Sequence, residues 1–293
     1  MTTGDLALYV LVVLVWGTSW IGMRWQVGIV EPEVSALWRF ALACPIMFAW
    51  AMARGQSLVF PPALHVRFAA MGGLMFSTNL ILFYNGSLMV ATGLMAIVFS
   101  LASVFNAVLG AMFIGQRLEL RMLGAGIVGV VGVALMFAPE IAGTTTNDRA
   151  LFGLVISAAA TLSFCCGTIV SAAVQQRGIP VLSSSAWGML YGSAFLLVVA
   201  TLRGSPLIVE WNFQYLATLA WLAIVASVLA FSAYLTLMGR IGAARTGYST
   251  VLFPVVALAV STVIEGYRWT PLAVLGLGLV IAGNVMMLRG ARK

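Results

Sequence analysis

Arg39 places a permanent cation inside an apolar run, roughly 10 Å beyond Pro32 if the segment is helical and rises 1.5 Å per residue. Further on, Phe76, Asn79 and Phe83 stand at i, i+3 and i+7, a spacing that puts all three on one helix face, and Phe99, Ser103 and Asn106 do the same. Adding 151 to each number reaches Ser227, Ala230 and Tyr234, then Thr250, Pro254 and Ala257. Trp16 and Trp20 form an i, i+4 pair. A guanidinium can hold a carboxylate, amides and hydroxyls can exchange hydrogen bonds, and aromatic faces can wall in a planar or apolar body. This equipment suits binding a small amphipathic molecule and does not by itself make or break bonds. Each feature also has a plainer use. Aromatic and small residues at helical spacing pack helices, and tryptophans anchor at membrane interfaces. Arg39 can snorkel to a surface or pair with Glu33 or Glu265.

The rest of the chain offers little for catalysis. His65 is the sole histidine and falls in a connection, too isolated for a metal cluster or a Ser-His-Asp hydrolase. Cys44, Cys165 and Cys166 lie in apolar runs and read as small packing residues. The one lysine is Lys293, so no phosphate-binding glycine loop with its lysine is present, and no cofactor is called for. A formal charge of +7 is spread one or two residues per connection, which argues against nucleic acid as a partner. Glu265 is the nearest candidate for a proton site, although its position late in a span also fits a surface role. Pro254, inside a span, removes a backbone hydrogen bond and can serve either as a hinge or as a static kink.

The elements that must position these residues are set by composition. With 62% hydrophobic and 8% charged residues, against about 25% charged in soluble domains, the chain reads as an integral membrane protein. Its runs are apolar on every face, unlike the alternating strands of a barrel, so the expected fold is an all-α polytopic membrane protein. Ten spans are expected near residues 6–25, 33–53, 66–87, 92–114, 121–138, 151–173, 182–202, 214–236, 244–264 and 271–288. The first is expected to be a retained helix and not a signal peptide. Pro32, Pro61-Pro62, Pro139, Pro180, Pro206 and Pro271 read as turns or helix starts.

The chain also repeats itself. Leu123-Gly124-Ala125-Gly126 is echoed by Leu275-Gly276-Leu277-Gly278, and Leu101-Ala102-Ser103-Val104 by Leu252-Phe253-Pro254-Val255. Two five-helix repeats are therefore expected, residues 1–146 and 147–293, separated by the polar stretch Gly143 to Asp148. Of 15 basic residues, ten fall on the side of the amino terminus, four on the other side, and Arg39 within a span. That bias puts both termini in the cytoplasm. An odd number of spans per half turns the second half over, giving inverted repeats. The glycines of the fifth and tenth spans are assigned to close helix packing, between the halves or at a dimer contact.

Together the Trp16-Gly17-Thr18-Ser19 start, Arg39 after Pro32, the Gly115-Gln116-Arg117-Leu118 end of the fourth span and the glycine-rich fifth and tenth spans make the chain resemble the drug/metabolite transporter superfamily, of the ten-helix EamA type. Where that family usually has proline in the fourth span and glutamate near its end, this chain has Ser103 and Gln116; the second half has Pro254 and Tyr267. In character it is most similar to the YddG-type exporters of aromatic and other amino acids. The resemblance implies a multi-pass bacterial inner-membrane protein that exports small metabolites; the duplication points to alternating access, and the lack of an acid at the centre of any span leaves the substrate gradient or a proton carrier not evident in the sequence as the driving force. The partners it implies are the lipid bilayer and a small molecule, an amino acid or an amphipathic metabolite or drug. An intramembrane enzyme or a lipid-binding structural protein is the reading from a different class.

Overall fold

The computed structural model describes residues 2–114, 120–142, 147–241 and 249–290; the side chains at 114, 120–123, 139–142, 147–148, 235, 238–239, 241, 249–251, 284 and 287–290 are not among those described. The described chain is helical, with no strand. In order run α1 (Thr3–Arg24), α2 (Pro32–Ala53), α3 (Pro62–Gly73, a π-helical stretch Leu74–Thr78, then Asn79–Ser87), α4 (Thr92–Ser100 and Ala102–Ile114), α5 (Leu120–Ala142), α6 (Asn147–Gln175), α7 (Val181–Arg203), α8 (Phe213–Ala220, a π-helical stretch Trp221–Leu229, then Ala230–Ile241), α9 (Ser249–Ile264) and α10 (Pro271–Gly290). Seven of them are long and apolar enough to cross a membrane; α5, α9 and α10 carry shorter apolar stretches.

Local chemistry explains the ends. Pro32, Pro62 and Pro271 each open a helix at a position where the missing N–H costs nothing. Thr2 and Asp5 form a capping box on α1, and Gly204 closes α7 with φ 68°. Pro139 departs from expectation: α5 runs past it to Ala142. Of the expected linker, residues 143–146 lie outside the described residues, and α6 already begins at Asn147.

The two π stretches occupy corresponding places in the third and eighth helices. Each holds a serine whose hydroxyl donates to the carbonyl five residues back: Ser77 to Gly72 at 2.8 Å, Ser227 to Leu222 at 2.9 Å. A π turn widens the helix and leaves carbonyls for outside donors. Ser163 of α6 takes the Leu74 carbonyl at 2.8 Å, and the Trp16 indole of α1 takes that of Ala226 at 3.1 Å.

Packing places α5 on α10, α2 on α7, and the first part of α4 on α9; α3 lies against α6 and α7, and α1 against α8 and α9. The α5–α10 contact is close enough to need glycine. A Cβ at Gly276 would fall 2.4 Å from Met136 Cγ and 2.5 Å from the Gly132 carbonyl. Outward faces carry large apolar side chains such as Leu14, Leu42, Val130, Phe195 and Val274, as lipid contact requires.

Candidate functional site

A cavity of about 90 Å³ lies among α1, α2, α3, α4, α6, α8 and α9. Its wall is mostly aromatic: Trp16, Trp20, Phe40, Phe76, Phe83, Phe99, Phe164, Phe231 and Phe253. The rings brace one another by edge-to-face or tilted contacts. Trp20 meets Phe83 at 5.0 Å between centroids and Phe99 at 5.6 Å, while Phe76 meets Phe40 and Phe231 at 5.3 Å each. Both π stretches contribute, Met75 and Phe76 from α3 and Ala226 and Ser227 from α8.

The polar members of the wall are Ser19, Arg39, Asn79 and Ser227. Arg39, 8% exposed, donates from Nε to the Ser227 hydroxyl at 2.9 Å, and its guanidinium carbon lies 5.7 Å from the centre of the Phe40 ring. The carboxylates considered as its partners are engaged elsewhere. Glu33 pairs with Arg203 at 3.4 Å and accepts from Ser205 at 2.7 Å. Glu265 accepts from the Thr92 amide at 3.0 Å, from the Thr92 hydroxyl at 2.7 Å and from the Ser261 hydroxyl. Among the described residues Arg39 has no carboxylate partner. A buried cation in that condition favours an anion brought in from outside.

Of the residues singled out in the sequence, Trp16, Trp20, Arg39, Phe76, Asn79, Phe83, Phe99 and Ser227 border this cavity. Ser103, Asn106 and Tyr234 do not. The turn at Leu101 interrupts α4 between Phe99 and Ser103, so the face drawn through a continuous helix does not persist. Ser103 turns its hydroxyl to the Ser100 carbonyl at 3.1 Å, and Asn106 accepts from Thr168 of α6 at 2.9 Å. Tyr234 lies behind Trp16 at 5.0 Å between ring centroids; the π stretch rotates α8, and Phe231 takes the place on the wall. The side chain of Thr250 lies outside the described residues, as does Gln116. Pro254 is buried within α9 and its neighbour Phe253 lines the cavity instead. Sequence spacing also misses Phe40, Phe164 and Phe231, which carry no signal until the helices are brought together.

A second, broader hollow of about 820 Å³ lies where α1, α3 and α9 end and α4 and α8 begin, bordered by Arg24, Trp25, Gln214 and Glu265. Glu265 there caps the first turn of α4, a favourable place for a carboxylate because free N–H groups point at it.

Comparison with known proteins agrees with this architecture. A probable amino-acid metabolite efflux pump of Escherichia coli strain K12 is 27% identical, with 100% of this chain and 97% of that protein covered. The uncharacterized inner membrane transporter YedA of the same strain is 23% identical, over 97% of this chain and 90% of its own length. A protein solved by crystallography superposes with a TM-score of 0.72 at 17% identity, covering 100% of both chains, which speaks to the fold. Residues 2–138 and 151–289 match the EamA-like transporter family, and the chain belongs to that family.

Proposed function

We infer that this chain is a secondary transporter that exports amino acids, aromatic and other neutral ones, by alternating access between two inverted five-helix repeats. The observation that carries the reading is Arg39: a buried guanidinium, with no carboxylate partner among the described residues, set in the wall of an aromatic cavity between the halves. A zwitterion with an apolar side chain satisfies both features. Its carboxylate answers the cation and its side chain meets the rings. A cationic drug would find Arg39 where it needs a countercharge. The name of the efflux-pump relative points to the same substrate class.

The helix contacts support the repeat. Exchanging α1–α5 for α6–α10 carries the pairs α2–α7, α4–α9 and α5–α10 onto themselves, α3–α7 onto α2–α8, α1–α9 onto α4–α6, and α3–α6 onto α1–α8, all of which pack together. The matched π stretches obey the same exchange. Five spans per half imply an inversion, and the charge bias favours a cytoplasmic side for both termini. The halves are residues 1–146 and 147–293, inserted in a bacterial-type inner membrane.

Counterflow of labelled phenylalanine, methionine and threonine in liposomes holding only this protein tests the reading. Exchange well above that of empty liposomes is expected. If no amino acid crosses faster than in empty liposomes, the amino-acid assignment is lost.

A further inference from the structure

Among the described residues four buried side-chain nitrogen or oxygen atoms have no hydrogen-bond partner, and two of them, Trp20 Nε1 and Asn79 Oδ1, belong to side chains on the cavity wall. Trp20 is 6% exposed and Asn79 4%. Orphaned polar atoms in an apolar interior are costly, and at a cavity they mark groups kept for a ligand. Neighbouring wall groups already have partners: the Ser19 hydroxyl donates to the Trp16 carbonyl at 2.9 Å, and the Ser227 hydroxyl donates to Leu222 while accepting from Arg39.

The unmet needs are therefore of two kinds. The Trp20 indole N–H requires an acceptor and the Asn79 carbonyl oxygen requires a donor, while Arg39, already bonded to Ser227, has no carboxylate partner among the described residues. We propose that Asn79 Oδ1 receives the α-ammonium of the transported amino acid while Trp20 Nε1 joins Arg39 on its carboxylate, so that the site selects for the amino group itself. This assignment rests on the amino-acid reading above. A neutral amide suits the task. An amide accepts from an ammonium without adding a negative charge to the wall that holds Arg39. The surrounding ring faces add attraction for an ammonium group. A site built to bond a ligand N–H rejects the analogue lacking it, because its own buried acceptor is then left unpaired.

The test compares phenylalanine with phenylpyruvate, which keeps ring and carboxylate but has no amine, as competitors of labelled phenylalanine counterflow in proteoliposomes. In the unaltered protein phenylpyruvate should compete at least about tenfold more weakly. Asn79→Leu, similar in size but without the acceptor, should weaken phenylalanine about tenfold and leave phenylpyruvate unchanged. Trp20→Phe should weaken both competitors alike. Equal competition by the two ligands in the unaltered protein overturns the assignment while the amino-acid reading stands, and that comparison depends on no variant folding. Equal weakening of both ligands by Asn79→Leu also overturns it. Phenylalanine that does not exchange even for itself, together with silence from other amino acids, overturns the amino-acid reading and this assignment with it.

Discussion

Arg39 of α2 and Ser227 of α8 are joined by a hydrogen bond of 2.9 Å from Nε to the hydroxyl, so the buried cation is held by a residue inside a π-helical stretch distant in sequence. The serine also spends its proton on the Leu222 carbonyl at 2.9 Å, one of the carbonyls the widened turn presents. Cation, hydroxyl and irregular backbone thus form one unit. The guanidinium is oriented by the backbone irregularity without being neutralised, because its partner there is a hydroxyl and not a carboxylate.

From this unit Ser227→Ala should raise KM for amino-acid counterflow by roughly tenfold, since hydrogen bonds to charged groups contribute about 1.5–3 kcal/mol. Ser227→Thr, which restores the hydroxyl, should recover most of the loss. Arg39→Ala should impair amino-acid transport more than transport of molecules lacking a carboxylate. Initial rates in proteoliposomes, normalised to inserted protein, measure all three. Equal losses for both substrate classes would assign Arg39 to structure alone.

Much of this site was legible because burial of charge and amide in an apolar segment is costly wherever the segment packs. Arg39 and Asn79 stand out in the sequence for that reason, and both border the cavity. Ser103, Asn106 and Tyr234 share the faces predicted for them only if the helical period is unbroken. That period fails at the turn after Ser100 and across the π stretch of α8, neither of which leaves a mark in residue type. Phe40, Phe164 and Phe231 are ordinary packing residues until α2, α6 and α8 meet around the cavity.

Cysteine labelling separates the observed wall from the spacing-based one. In a background lacking Cys44, Cys165 and Cys166, a cysteine at Phe231 or Asn79 should react with a small thiol reagent and be protected by substrate. A cysteine at Tyr234, behind Trp16, should show no substrate protection. Protection at Tyr234 but not at Phe231 would restore the face predicted from an ideal helix.

The glycine-rich helices α5 and α10 pack on each other, with Gly276 against Gly132 and Gly283 against Gly129. Gly276→Leu should destabilise the protein, because even its Cβ would fall 2.4 Å from Met136 and 2.5 Å from the Gly132 carbonyl. Overpacking of this kind costs about 1–3 kcal/mol, and relief would require α5 and α10 to separate. Gly278→Ala two residues on, where a Cβ would meet nothing within 4 Å, should be neutral. Thermal unfolding in detergent followed by size-exclusion chromatography reads the contrast. Equal stability of the two variants would remove the close α5–α10 approach as a structural requirement.

Glu265 distinguishes a helix cap from a proton carrier. Its carboxylate closes the first turn of α4 through the Thr92 amide and hydroxyl and ties that turn to Ser261 of α9. Glu265→Gln keeps an acceptor oxygen but loses the charge, so the cap should weaken by roughly 0.3–1 kcal/mol, the usual scale for a charge at a helix terminus. Any response of counterflow to an imposed pH gradient should then be the same in Glu265→Gln as in the unaltered protein. Thermal stability and gradient-driven uptake, measured on one preparation, check both expectations. Loss of a gradient response in Glu265→Gln with stability unchanged would make the carboxylate a proton site and leave the capping bonds incidental.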